Sequence, residues 1–340
     1  MASDEMRLAR VDLGEGWIDL GYGEPIIIQD ILHNYISPGC LPDNGTLLNS
    51  QYQPPKGMKA FIDFLEAKYQ AKVVVTNGAK QGIAATMYAL KKMGHDSCMM
   101  HKPYWTSTPG LITDQGLAVK YLGDPGASSR ALFITSPNNP DGKEIPPANM
   151  AQVTFDAKAE GIKLIHDAAY YTPIYMQDPC SEKVGDVQIH SFAKMWGLSG
   201  LRIGYVVLHD ETFLPHVTEF VERACSGVST ASQQVALAVE SHFHYNPEAS
   251  ASFYAACRNA IATSRAELMR VSPDVLEVMP CTSNSMFAWC KAGPKLNWQA
   301  AKVNMIPGDL FGQPGYVRLN IAVPSDLIKI AVNRLNEAGG

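Results

Sequence analysis

Lys194 and Arg202 stand eight residues apart in SFAKMWGLSGLRIG (191–204), a glycine-framed stretch between two apolar runs. Most lysines are solvated surface charges, but an amine held in a loop can serve as nucleophile or base. Asp167 closes a second apolar run, KLIHD (163–167). A carboxylate there costs free energy unless it has a partner. It could cap a turn, ligate a metal, or pair with a protonated ring nitrogen. Upstream, SPNNPDG (136–142) sets two prolines around Asn138 and Asn139. That frame needs a rigid backbone and allows a cis X–Pro bond. An ordinary turn would explain the glycine and one proline, not the doubled Asn-Pro.

Two further segments could bind a flat, phosphorylated ligand. Gly78, Ala79 and Lys80 lie in NGAKQG (77–82), between an apolar run and a helical pattern. A turn of that kind offers backbone N–H groups and a helix dipole to a phosphate. Such turns are commonplace, and neither GxGxxG nor GxxxxGK[ST] is present. Tyr104 and Trp105 follow another apolar run. Either could stack on a flat ring, or pack at an element edge.

The elements that must position these groups alternate. Strands are expected at Lys72–Thr76, Ser97–His101, Ala118–Tyr121, Ala131–Ser136, Lys163–Asp167, Val187–Ser191 and Gly204–Leu208. Helices are expected at Gly57–Tyr69, Gln81–Met93, Pro147–Glu160 and Glu211–Ala224. Short, β-branched, unalternating runs between helices indicate an α/β fold with a mainly parallel seven-stranded sheet covered on both faces. The candidate residues then fall at strand C-terminal ends, where open α/β sheets bind ligands. Beyond residue 225 come long helices (Thr230–Phe243, Glu248–Arg270). Strands at Met286–Lys291, Val303–Ile306 and Val317–Ala322 and a helix at Asp326–Ala338 follow. This predicts a smaller α+β domain, with boundaries at 1–29 (N-terminal segment), 30–228 (large domain) and 229–340 (small domain).

Composition narrows the class of ligand. The 340 residues carry a net charge of −5, with 46% hydrophobic and 18% charged residues and no basic cluster. Nothing there suits nucleic acid or an anionic membrane, so small molecules are the expected partners. The seven scattered cysteines show no metal-ligand spacing and read as reduced thiols, mostly buried. No metal is expected. The N-terminus lacks a signal-like apolar stretch, and the expected location is the cytoplasm.

Taken together, SPNNPDG (136–142), HDAAY (166–170) and SFAKMWGLSGLRIG (191–204) resemble the three main motifs of fold-type I pyridoxal-5′-phosphate (PLP) enzymes. Their order and spacing are those of the class I/II aminotransferase superfamily. The resemblance runs from LGYGEP (20–25) to YVRLNIA (316–322). TSPNNPDG, the doubled tyrosine of DAAYYTPIY, PYWTSTP and GVSTASQ are most similar to the alliinase and tryptophan aminotransferase branch.

The resemblance implies that Lys194 forms the Schiff base to PLP and moves the substrate Cα proton. Asp167 would pair with the pyridine N–H, and Tyr170 and Asn139 would bond the ring's 3′-oxygen. Arg202, Ser191 and the turn Gly78–Ala79–Lys80 would hold the phosphate. The family usually has a small hydroxyl residue in that turn, and this chain does not. Trp105 falls at the ring-stacking position, with Tyr104 as the alternative. Tyr52 matches a tyrosine that reaches the neighbouring subunit's phosphate, implying a homodimer with shared active sites. Arg318 would clamp the substrate carboxylate, as Asn139 would in part, and Gly23 would line the pocket. Where the residues alone are read, Tyr52 is equally a surface turn residue and Arg318 a solvent-facing charge. The implied reaction moves an amino group from an L-amino acid, aromatic or apolar by slight preference, to a 2-oxo acid. The alternative is a β-eliminating, alliinase-like C–S lyase.

Overall fold

The computed structural model describes residues 15–21, 23–36, 52–176, 183–281 and 284–340. Cys40 and Cys180 fall outside those residues. The first strand, β1 (Ile18–Asp19), is followed by β2 (Lys72–Thr76), β3 (Ser97–Met100), β4 (Ala118–Tyr121) and β5 (Ala131–Thr135). Then come β6 (Lys163–Asp167), β7 (Val187–Ser191) and β8 (Gly204–Leu208). Strands β2 to β8 form one seven-stranded sheet in the order β2-β8-β7-β6-β5-β3-β4. Neighbours run parallel except on either side of β8, which is antiparallel to both β2 and β7.

Successive side chains of a strand face opposite ways, and both faces are covered. Val73 and Val75 pack with Phe61 and Leu65 of the helix Lys59–Tyr69. Val74, between them, packs with Ile83 and Leu90 of the helix Gly78–Lys92. All five residues of β7 and all five of β8 are buried. β8 (GYVVL) accordingly reads as one apolar run, whereas β7 (VQIHS) alternates apolar and polar side chains that are all buried.

The C-terminal third supplies β9 (Leu276–Val278), β10 (Phe287–Ala292), β11 (Val303–Asn304), β12 (Ile306–Pro307) and β13 (Tyr316–Asn320). A four-stranded antiparallel sheet has the order β12-β13-β10-β9. The single strand expected at Val303–Ile306 is therefore two. β11 pairs in parallel with β1, while β12 joins β13. Pro307 has no N–H to donate, and β12 accordingly sits at a sheet edge. One core cluster continues from Val75 and Tyr205 on the large sheet to Phe287, Leu319 and Ile328. The two sheets thus share packing, and β13 is brought over the C-terminal edge of the large one.

Among the described residues, three α-helices lie outside the expected set: Ile26–Tyr35, Thr108–Thr113 and the four-residue Phe192–Met195. The first buries Ile28 and Leu32, four apart on one face, in the shared core. Cys98, Cys225, Cys257, Cys281 and Cys290 are free thiols. Burial pushes Cys98, Cys257 and Cys290 up to about 12.

Candidate active site

Sheet register sets the site. Gly204 is paired with Thr76 on one side and Ser191 on the other. The turn after β2, the residues before β8 and the end of β7 therefore meet at one level. Asp167 ends β6 at the same edge, and Asn139 follows β5. The peptide bonds Ser136–Pro137 and Lys102–Pro103 are cis.

Glycine is required twice in this corner. Gly78 has φ +77°, and a Cβ there would lie 3.0 Å from an Arg202 Nη2. A Cβ on Gly204 would meet the His190 carbonyl oxygen at 2.5 Å and the Ala79 nitrogen at 2.9 Å, both backbone. The result is a cradle between the first N–H groups of the helix Gly78–Lys92, the Ser191 side chain and the Arg202 guanidinium. Arg202 itself has φ +52° and donates to the Ser199 carbonyl at 2.8 Å. Asn77 N–H donates to the Gln81 side chain at 2.7 Å, which steadies the turn.

A cavity of about 520 Å³ opens beside this cradle. Gly23, Ala79, Lys80, Trp105, Asn139, Asp167, Tyr170, Ser191, Lys194, Arg202 and Arg318 all line it. Lys194, in the short helix Phe192–Met195, donates from Nζ to the Gly23 carbonyl oxygen. Asn139 Nδ2 donates to the Tyr170 hydroxyl at 3.3 Å, and Asn139 Oδ1 accepts from Arg318 Nη1 at 2.8 Å. Arg318 Nη2 donates to the Gly21 carbonyl at 2.7 Å. Its guanidinium carbon lies 4.2 Å from the centre of the Phe287 ring and 5.1 Å from that of Phe311. Arg318 is therefore buried and not a solvent-facing charge.

Three placements differ from expectation or extend it. Tyr104 does not line the cavity; it stacks on Tyr121 with ring centres 5.6 Å apart. Trp105 takes the cavity side, with Lys80 Nζ 5.3 Å from the centre of its ring. Tyr52 lies away from the cavity and is 93% exposed. Sequence reasoning missed Gly21, Glu24, Ser199, Phe287, Ile306 and Phe311, which also line it. Of these, Gly21 and Glu24 lie in LGYGEP and Ser199 lies in SFAKMWGLSGLRIG; the rest carry no local signal.

Burial sets the electrostatics. Asp167 is 3% exposed, and desolvation raises its carboxyl to about 7; its backbone partner, Ala169 N–H at 3.1 Å, only moderates this. Desolvation likewise pulls Arg318 down to about 10 and pushes the Tyr170 phenol up. The Arg318 Nε is buried with no partner among the described residues. These groups fit PLP. A buried carboxyl short of partners suits a protonated ring nitrogen, the cradle suits a phosphate, and Trp105 flanks the space between.

The raised Asp167 value has a consequence for stability. Between 3.8 and about 7 the folded chain binds a proton there that the unfolded chain does not. Its contribution is therefore full at low pH and is lost as pH rises through about 7. His166, pulled down by burial from 6.5 to about 4, acts oppositely over that interval. Above about 6.5, Asp167 is the one left changing of the two. Cofactor-free Asp167→Asn is thus expected to lose less stability between pH 6.5 and 8 than the parent, by about 1 kcal/mol. Urea midpoints across that range check this; identical slopes would refute it.

The sequence model of the family aminotransferase class I and II matches residues 11–335. This chain belongs to that family. Enzymes of that family use PLP and act on small amino and 2-oxo acids. Among similar proteins, the tryptophan aminotransferase-related protein 2 of Oryza sativa subsp. japonica is 31% identical over 194 residues. That stretch is 52% of this chain and 36% of the rice protein. The probable aspartate/prephenate aminotransferase of Aquifex aeolicus is 26% identical over 306 residues, 79% of this chain and 76% of that one. The aspartate aminotransferase structure from Thermotoga maritima matches with a TM-score of 0.76 at 20% identity, covering 99% of this chain and 96% of that one. That likeness speaks to the fold. No helix among the described residues is long and apolar enough to cross a membrane.

Proposed function

We propose that this class I and II aminotransferase binds PLP at Lys194 and moves the amino group of an L-amino acid, preferably aromatic or apolar, to a 2-oxo acid. The carrying observation is that an amine, a carboxyl short of partners and an incompletely bonded arginine share one cavity. Bound PLP supplies an electron sink for the pair left behind when a proton leaves the substrate Cα.

The chain's own residues do the rest. Lys194 would hold the cofactor, and its amine would take and return the substrate Cα proton. Asp167 keeps the ring nitrogen protonated; a bound cation would convert its costly buried carboxyl into half of an ion pair. Asn139 and Tyr170 orient the ring oxygen. Arg202, Ser191 and the Gly78–Lys80 turn hold the phosphate, and Trp105 covers the ring. Arg318 offers its fork to the substrate carboxylate. Phe287, Ile306 and Phe311 form an apolar wall, which supports the side-chain preference. Exposed Tyr52 is assigned to the partner subunit's phosphate in a homodimer. The N-terminal segment to residue 29, the large domain to 228 and the small domain beyond are proposed as the divisions of the chain.

The test supplies PLP-loaded protein with single L-amino acids and no 2-oxo acid. Expected is conversion to pyridoxamine phosphate with release of the matching 2-oxo acid. An aromatic or apolar donor is expected to react at least about tenfold faster than aspartate, whose second carboxylate meets an apolar wall. Pyruvate and ammonia from an S-substituted cysteine, with no pyridoxamine phosphate formed, would replace this reading with β-elimination.

A further inference from the structure

Tyr175 lies eight residues beyond Asp167 and is fully buried. It is not a cavity-lining residue, yet it touches three parts of the site. Its hydroxyl lies 2.8 Å from the Lys194 carbonyl oxygen and 3.7 Å from the Met286 sulfur. A phenol has one proton to donate, and the carbonyl is the stronger and nearer acceptor. The edge of its ring meets Tyr170, with centres 5.8 Å apart. Its backbone carbonyl accepts from Asn284 N–H at 2.8 Å, three residues before Phe287.

Lys194 needs such support. Its helix has four residues, and the bond Trp196 N–H to Phe192 O closes its one turn. The carbonyls at the end of so short a helix have no partner within it. Without the Tyr175 hydroxyl, the peptide from which the Lys194 side chain springs loses this buried donor.

We propose that Tyr175 is a positioning residue for Lys194. Its hydroxyl sets the backbone that aims the amine, and its ring sets the Tyr170 phenol on the other side of the same space. The proposal rests on the reading of Lys194 as the residue that carries PLP.

The experiment compares wild type with Tyr175→Phe, which keeps the buried ring and removes only the donor. PLP is added to cofactor-free protein, samples are reduced with borohydride at intervals, and attachment to the peptide containing Lys194 is counted by mass. Capture by the variant is expected to slow about tenfold, as for a lost hydrogen bond to a buried carbonyl. The half-reaction with an amino acid should slow by a similar factor while KM stays put. Met286→Leu, which spares the hydroxyl, should capture at the wild-type rate. A variant that melts lower but captures and reacts at the wild-type rate, well below its melting temperature, would make Tyr175 a core residue only. Wild type that attaches no PLP at Lys194 would sink the underlying reading, and the proposal with it. If Tyr175→Phe does not fold, 3-fluorotyrosine at position 175 retains the hydroxyl as a stronger donor. A changed capture rate then supports the assignment, and an unchanged rate overturns it.

Discussion

Lys194→Ala, supplied with PLP, is expected to show none of the visible absorbance of a lysine-bound pyridoxal and to lose transamination. Proton transfer by a positioned base contributes on the order of 10²–10⁴-fold to a rate, and covalent capture is lost as well. The fall should therefore reach at least that size. Folding should survive. Lys194 is only partly buried, it sits in a short helix, and alanine is the best helix former. What disappears is the amine and its contact with the Gly23 carbonyl. Far-ultraviolet circular dichroism would verify the fold, and an absorbance spectrum with single-turnover kinetics would read the effect. Persistent absorbance with persistent turnover would remove Lys194 from the centre of the chemistry.

Arg318→Lys should leave that absorbance intact and damage substrate use instead. The guanidinium holds two oxygens at once, Asn139 Oδ1 and the Gly21 carbonyl, and keeps Nε in reserve. An ammonium preserves charge but not the planar fork that meets a carboxylate with two parallel bonds. Losing one partner of a buried, hydrogen-bonded charge pair costs about 2–5 kcal/mol. That corresponds to a fall from about thirtyfold to beyond 10³-fold in kcat/KM. It should apply to every amino acid and 2-oxo acid alike, because the α-carboxylate is common to them. The measurement is kcat/KM for two donors with unlike side chains. A loss confined to one of them would assign Arg318 to the side chain, and no loss would remove it from the site.

Much of this site was legible locally. Strands β2, β5 and β8 announce themselves as apolar runs because both of their faces are covered. Asp167 and Ser191 mark strand ends because a polar residue closing such a run needs a reason to be there. The spacing of Lys194 and Arg202 reflects one loop joining β7 to β8. Other features were not legible. The three consecutive isoleucines of the helix Ile26–Tyr35 favour a strand by propensity, and burial of Ile28 and Leu32 outweighs that. Val303 to Ile306 looks like one strand, but strand pairing depends on partners far along the chain. β11 found β1 and β12 found β13. Tyr104 and Trp105 are adjacent aromatics in an irregular segment, and packing on Tyr121 decided which of them turned from the cavity.

The sequence by itself therefore determined the family, the α/β architecture and the polar residues along the sheet edge that line the cavity. These are written in short motifs whose spacing follows the chain. Only the tertiary structure decided that Arg318 is buried between Phe287 and Phe311, that Asp167 sits high near 7, and that Tyr175 backs Lys194. Each depends on desolvation or contact between segments well apart in sequence, and neither is encoded in the residue types alone.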